Sequence, residues 1–125
     1  METASIQANI AHHLPELAAR QPDRAAVLEP AGRHGRRFLY RDYTFLELEQ
    51  RCNAFAWGLA DGGIRPGMRV LLMVKPGRDL FALTFALFKI GAIPVMIDPG
   101  MGWQGFFKAV AQVEPEGFIG IPAAH

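Results

Sequence analysis

Hydrophobic positions along the chain change their period several times, and each change marks an element. From Asn9 to Gln21, apolar residues fall at Ile10, Leu14, Leu17 and Ala18, which gives one helical face. Asn9 is a candidate cap, Pro15 falls early, and Gln21-Pro22-Asp23 stops the helix. Ala25 to Glu29 and Arg36 to Tyr43 read as two short strands around a turn from Pro30 to Gly35, a hairpin with a basic tip. The next helix opens with Thr44 and Glu47, the spacing of a capping box. Its apolar residues Phe45, Leu48, Cys52, Phe55 and Leu59 stand 3, 4, 3 and 4 apart, so a single stripe faces a core. Glu47 and Arg51 are spaced for an i,i+4 ion pair on the solvent side. Gly62-Gly63 ends this helix.

From Arg69 onward the pattern is strand, helix, strand, helix, strand. Arg69 to Val74 is a continuous apolar strand, and Asp79 is placed to cap the helix that follows. Leu80, Phe81, Leu83, Phe85, Leu87 and Phe88 surround that helix on nearly all sides, which predicts deep packing. Gly91 ends it. Ile93 to Ile97 is the next buried strand, Gln104 to Val113 a helix broken by Glu114-Pro115-Glu116, and Phe118 to Ile121 the last strand. The 18 residues from Leu80 to Ile97 hold one charge, Lys89, and approach the length of a membrane span. Gly91 and Pro94 divide them into a helix and a strand instead. The fold class is therefore α/β: an N-terminal hairpin and helices, then a partial parallel sheet in the order β-α-β-α-β. Residues 1–43 form the leading helix and hairpin, and residues 44–125 the partial sheet. Three parallel strands leave open edges, and the Phe-rich helix calls for more cover than 125 residues readily supply. The chain is expected to be an incomplete part of a larger domain.

Composition narrows the function classes. Thirteen Lys and Arg against 12 Asp and Glu give a net charge of +1. A dedicated nucleic-acid or membrane-surface binder would need a stronger positive field. One cysteine allows no internal disulfide, which fits the cytoplasm. The start, with Glu2 and no apolar run, is not a secretory signal.

Candidate chemistry is sparse. Gly100, Gly102 and Gly105 spell GxGxxG between a strand and a helix, the setting of a dinucleotide-binding turn. Asp98-Pro99 loosens that turn, and no acid follows the next strand to hold a ribose. The alternatives are a Rossmann-type nucleotide site on these glycines and a glycine-rich turn that lets a helix pack closely. Arg33, His34, Arg36 and Arg37 cluster on the hairpin, where a solvated tip is the simpler reading. His12 and His13 are adjacent and point about 100° apart on a helix, so they do not share a metal. His34 and His125 have no spaced partners, and Cys52 lies on the apolar stripe. No GxSxG elbow or GxxxxGK[ST] loop is present. Lys75 and Asp98 follow the carboxyl ends of strands, where open α/β sheets bind ligands.

Several stretches together resemble a known family. They are Tyr43-Thr44-Phe45-Leu46-Glu47-Leu48, Gly63-Ile64-Arg65-Pro66-Gly67-Met68-Arg69-Val70-Leu71-Leu72, and the run from Phe88-Lys89-Ile90-Gly91 to Pro94-Val95-Met96-Ile97-Asp98-Pro99. With Asn9-Ile10-Ala11 and Gln21-Pro22-Asp23-Arg24-Ala25-Ala26, they resemble the N-terminal part of the AMP-forming acyl-adenylate ligases. Met68 stands where that family usually has Asp. Val74-Lys75-Pro76, residues 81–89 and Asp98-Pro99-Gly100-Met101-Gly102 look closest to the olefin-biosynthesis β-lactone synthetase and fatty-acid ligase branch.

The resemblance implies a parent enzyme that uses ATP and Mg²⁺ to activate a fatty-acid-type carboxylate as acyl-AMP. Thioester or β-lactone formation then follows. It implies as partners the remainder of the ligase large domain and a C-terminal domain, with no nucleic acid. The family's phosphate loop, adenine contacts and catalytic Lys have no counterpart between Met1 and His125. The expectation is therefore that this chain holds no catalytic, cofactor-binding or metal residue and is inactive alone. A standalone interaction module is the remaining alternative.

Overall fold

The computed structural model describes residues 10–97 and 102–120. A 3₁₀ turn over Ile10–His12 leads into helix α1, His13–Arg20. The expected cap Asn9 lies outside the described residues. Strands β1 (Ala25–His34) and β2 (Arg37–Thr44) form an antiparallel hairpin. Helix α2 (Phe45–Asp61), strand β3 (Arg69–Met73), helix α3 (Arg78–Ile90), strand β4 (Ile93–Met96), helix α4 (Gly102–Val113) and strand β5 (Gly117–Gly120) follow. β3 is the centre of a three-stranded parallel sheet in the order β4-β3-β5. The parallel βαβαβ expectation thus holds.

The hairpin is longer than its sequence suggests. Residues 30–34, expected as a turn, continue β1, and only Gly35 and Arg36 connect the strands. Gly35 takes φ +64°, the left-handed twist that a two-residue hairpin connection needs at its first position. Pro30 is tolerated because both strands of a two-stranded sheet are edges. The register slips by one residue between Pro30 and Gly32, a bulge that leaves Ala31 unpaired.

α2 begins as its sequence dictates. The Thr44 hydroxyl accepts from the Glu47 backbone N–H at 3.1 Å, and the Glu47 carboxylate accepts from the Thr44 N–H at 2.9 Å. Two donors that the first helical turn would otherwise leave open are satisfied reciprocally. Thr44→Ala is expected to lower stability by about 1 kcal/mol, read as a shifted denaturation midpoint with unchanged slope. The stripe Phe45, Leu48, Cys52, Phe55 and Leu59 faces inward throughout, with Leu48 and Cys52 fully buried.

α3 joins two halves of the core. Ala82 and Ala86 pack with Leu48, Cys52, Val27 and Tyr43, on the side of α2 and the hairpin base. Leu83 and Leu87 pack with Val70, Leu72 and Ala92 on the sheet. Small residues one turn apart bring α2 and α3 close, while the leucines reach the strands. The expectation of deep packing on all sides is corrected: Phe81 is 48% exposed. It borders an apolar groove of about 300 Å³ with Ile10, Leu14, Leu17 and Phe85. The helix begins from Gly77 rather than from an Asp79 cap, and ends at Gly91 in the left-handed conformation, φ +88°.

β4 also departs from the reading of a buried strand, since Ile93 and Met96 are exposed. On β5, Phe118 is exposed. α4 starts two residues earlier than its periodicity suggests and has no buried residue. Trp103 stacks on Phe107 at 6.0 Å, and Phe106 meets both rings edge-on. One face of the sheet therefore packs on α3, while apolar surface remains open on β4, β5 and α4. No described helix is long and apolar enough to cross a membrane.

Candidate functional site at the carboxyl end of the sheet

The carboxyl end of β3 runs through Val74-Lys75-Pro76-Gly77 into the first turn of α3. This is the position where parallel sheets present ligands. Here the loop borders a cleft of about 180 Å³ with Glu29, Lys75, Arg78 and Asp79 on its walls. Lys75 is thus placed as its sequence position implied, and Asp98 lies outside the described residues. Gly77 has an extended backbone. A Cβ there would meet the Glu29 carboxylate at 2.5 Å, so the glycine leaves room for β1 beside the loop.

Charge at this end is organised by Asp79. Its Oδ1 accepts from the Arg51 Nε at 2.6 Å and lies 3.7 Å from the Arg78 Nε. The expected Glu47–Arg51 pair is therefore replaced, because Glu47 caps α2 and Arg51 reaches across to α3. Arg51 also lies 5.2 Å from the Phe55 ring centre. The Arg78 guanidinium sits 4.1 Å over the Tyr43 ring, with its Nε buried and without a hydrogen bond. These contacts bind the hairpin base, α2 and α3 together at the sheet's ligand-facing edge. Their partners lie 28 and 35 residues apart in sequence, so local spacing carries no sign of them. The two arginines, Arg51 and Arg78, are engaged by Asp79 and Tyr43.

Other candidates are placed as follows. The backbone N–H and hydroxyl of Thr44 hold the Glu47 carboxyl below its ordinary value of 4.5. Burial pushes the Cys52 thiol up to about 11, so at neutral pH it is protonated and unreactive. His12 and His13 are both exposed. Among the described residues no three His, Cys, Asp or Glu side chains converge as metal ligands. Gly102 is the first residue of α4, at φ +77°, with no atom within 4 Å of where a Cβ would stand. Gly105 lies inside the helix, and Gly100 lies outside the described residues. The space around Gly102 is open, so the close helix packing that a glycine-rich turn would allow is not seen there.

A leading helix and hairpin before a helix-covered parallel sheet are the architecture of the N-terminal subdomain of adenylation domains. The chain superposes on the Klebsiella oxytoca NpsA N-terminal subdomain with a TM-score of 0.76 and 22% identity. The match covers 94% of this chain and 28% of that one. The NpsA-ThdA fusion from the same organism gives 0.79, covering 92% and 20%. Residues 14–124 match the family of AMP-binding enzymes, and the chain belongs to that family. It is 44% identical over 120 residues to an olefin β-lactone synthetase of Stenotrophomonas maltophilia, covering 94% of this chain and 22% of the relative. A salicyl-AMP ligase of Mycobacterium tuberculosis is 42% identical over 100 residues, covering 78% and 17%. The chain thus spans about a fifth of the length of these curated relatives. Family membership replaces the Rossmann alternative.

Proposed function

We propose that this chain is the N-terminal portion of the large domain of an ATP-dependent acid ligase, acting on a fatty or β-hydroxy fatty carboxylate in the cytoplasm. The observation that carries the reading is the 44% identity to an olefin β-lactone synthetase along nearly the whole chain. In the proposed reaction a carboxylate oxygen attacks the α-phosphate of ATP, and pyrophosphate leaves. A second nucleophile then attacks the acyl carbon and AMP departs. A thiol would give a thioester, and the substrate's own β-hydroxyl would close a β-lactone. Mg²⁺, as the family implies, would stabilise charge on the phosphate oxygens.

No step is assigned to a residue of this chain. Arg51 and Arg78 at its ligand-facing edge are engaged in the Asp79 and Tyr43 contacts, and among the described residues no three His, Cys, Asp or Glu side chains converge. Its role is scaffolding. The open faces of β4, β5 and α4 suit cover by the remainder of the large domain, and a C-terminal domain completes the enzyme.

The test is a graft of this chain in place of the matching N-terminal stretch of the Stenotrophomonas synthetase. Substrate-dependent pyrophosphate release is expected from the graft, and none from the 125 residues alone. A graft that folds cooperatively yet releases no pyrophosphate would sink the reading.

A further inference from the structure

The near-neutral charge of the chain conceals a sharp separation. Residues 30–42 contain Arg33, Arg36, Arg37 and Arg41 against Asp42 alone, leaving nine basic and 11 acidic residues elsewhere. These four cations lie on a ribbon that stands clear of the core, since every residue from Pro30 to Asp42 is exposed. The ribbon also carries apolar side chains in the open. Phe38 and Tyr40 share the face of Leu28 and are 65%, 61% and 63% exposed. Leu39, on the opposite face, is 45% exposed. Arg33 lies over the Phe38 ring at 5.1 Å.

From this juxtaposition we infer that the β1–β2 hairpin is an anchor for an anionic lipid surface. Phe38, Tyr40 and Leu28 would enter the interfacial layer while Arg33, on the same face, and Arg36, at the connection, reach lipid phosphates; Arg37 and Arg41, on the face of Leu39, add to the attracting field. Arginine stems lie along apolar surface with their charged heads in the polar layer, and aromatic rings favour the same depth. Each cation near such a surface contributes about 1 kcal/mol. A protein partner fits less well. The bulge and Pro30 blunt the ribbon's edge against strand addition. Single-stranded nucleic acid fits less well too, because Arg33 already occupies a face of the Phe38 ring. The inference concerns the hairpin alone and is independent of the ligase reading.

The full chain is sedimented with phosphatidylcholine vesicles, with and without phosphatidylglycerol. Binding is expected only with phosphatidylglycerol and should weaken as salt rises. Arg36→Glu with Arg37→Glu should weaken it at least about tenfold, and Phe38→Ser with Tyr40→Ser should also weaken it. Trp103→Ser with Phe107→Ser, on the other exposed aromatic patch, should leave it unchanged. A dye on Leu28→Cys, on the inserting face, should shift to the blue with the anionic vesicles alone; the buried Cys52 does not compete for the label. Equal binding to both vesicles, binding insensitive to the hairpin variants, an unshifted dye, or capture by a single-stranded oligonucleotide without vesicle binding would each overturn the inference.

Discussion

Leu87→Ala is expected to destabilise the fold by about 3 kcal/mol, lowering the melting temperature by on the order of 10 °C. Leu87 has no exposed surface and packs with Val70, Leu72, Leu83 and Ala92, where α3 meets the sheet. Its backbone carbonyl also accepts from the N–H groups of Gly91 and Ala92, which fixes the end of the helix. Truncation therefore opens a void in a place that cannot readily collapse. The size of that void sets the cost. Met73, on the exposed end of β3, is the control. Met73→Ala should change stability by less than about 0.5 kcal/mol. Equal midpoints for the two variants in urea would show that α3 does not carry the core in this way.

Lys89→Met is expected to cost about 3 kcal/mol, the low end for breaking a buried pair. Lys89 Nζ donates to the Glu49 carboxylate and, at 2.6 Å, to the Asn53 side-chain oxygen. Lys89 and Glu49 side chains are only 18% and 14% exposed, so removing the ammonium leaves a carboxylate with little access to water. Removing both charges should be far milder. Glu49→Leu with Lys89→Met is expected to recover most of the loss, because packed apolar residues replace a desolvated pair at little net cost. A double variant as unstable as the single one would mean that Lys89 acts through its packed stem and not its charge. Arg51–Asp79 joins the same two helices but is more than a third exposed, so its loss should stay near 1 kcal/mol or below.

How much of this was legible beforehand depended on whether a feature is local. The capping box of α2, its inward stripe, the glycine stop of α3 and the parallel βαβαβ order are written in short-range spacing, and all hold. The hairpin was underestimated because Pro30 and the glycines read as turn residues, whereas an edge strand with a bulge accommodates them. By local spacing Asp79 reads as a cap and Arg51 as a partner of Glu47. Both misreadings share one cause: a carboxylate takes the partner that tertiary packing brings, and Arg51 is 28 residues from Asp79. The all-round apolar pattern of α3 predicts deep packing, and its buried residues do meet two core regions. It overstated the burial of Phe81, because periodicity says which faces are apolar and not whether each has a neighbour. For function, the family was legible from motif order, which the AMP-binding match over residues 14–124 supports. Composition and chemistry alone stopped at an α/β fragment, because no described cluster has the spacing of a reactive site.

The place of β3 at the centre of its sheet has a consequence for the order in which the molecule assembles. The hairpin closes through two residues, and such ribbons form in about 1–10 μs. β3 pairs with β4 only after α3 has been spanned, and with β5 only after β4 and α4 have been spanned as well. Loop-closure entropy rises with each added segment, so the β3–β5 ladder is the slowest contact to be won. Arg69 is the latch on that last step. Its guanidinium donates to the carbonyls of Val113, at 2.8 Å, and Glu114, while its own carbonyl accepts from the Glu116 N–H at 2.7 Å. The chain thus carries, at the first residue of its central strand, the group that holds its last strand in place. Until that strand arrives, one edge of β3 stands open to whatever other strand reaches it first.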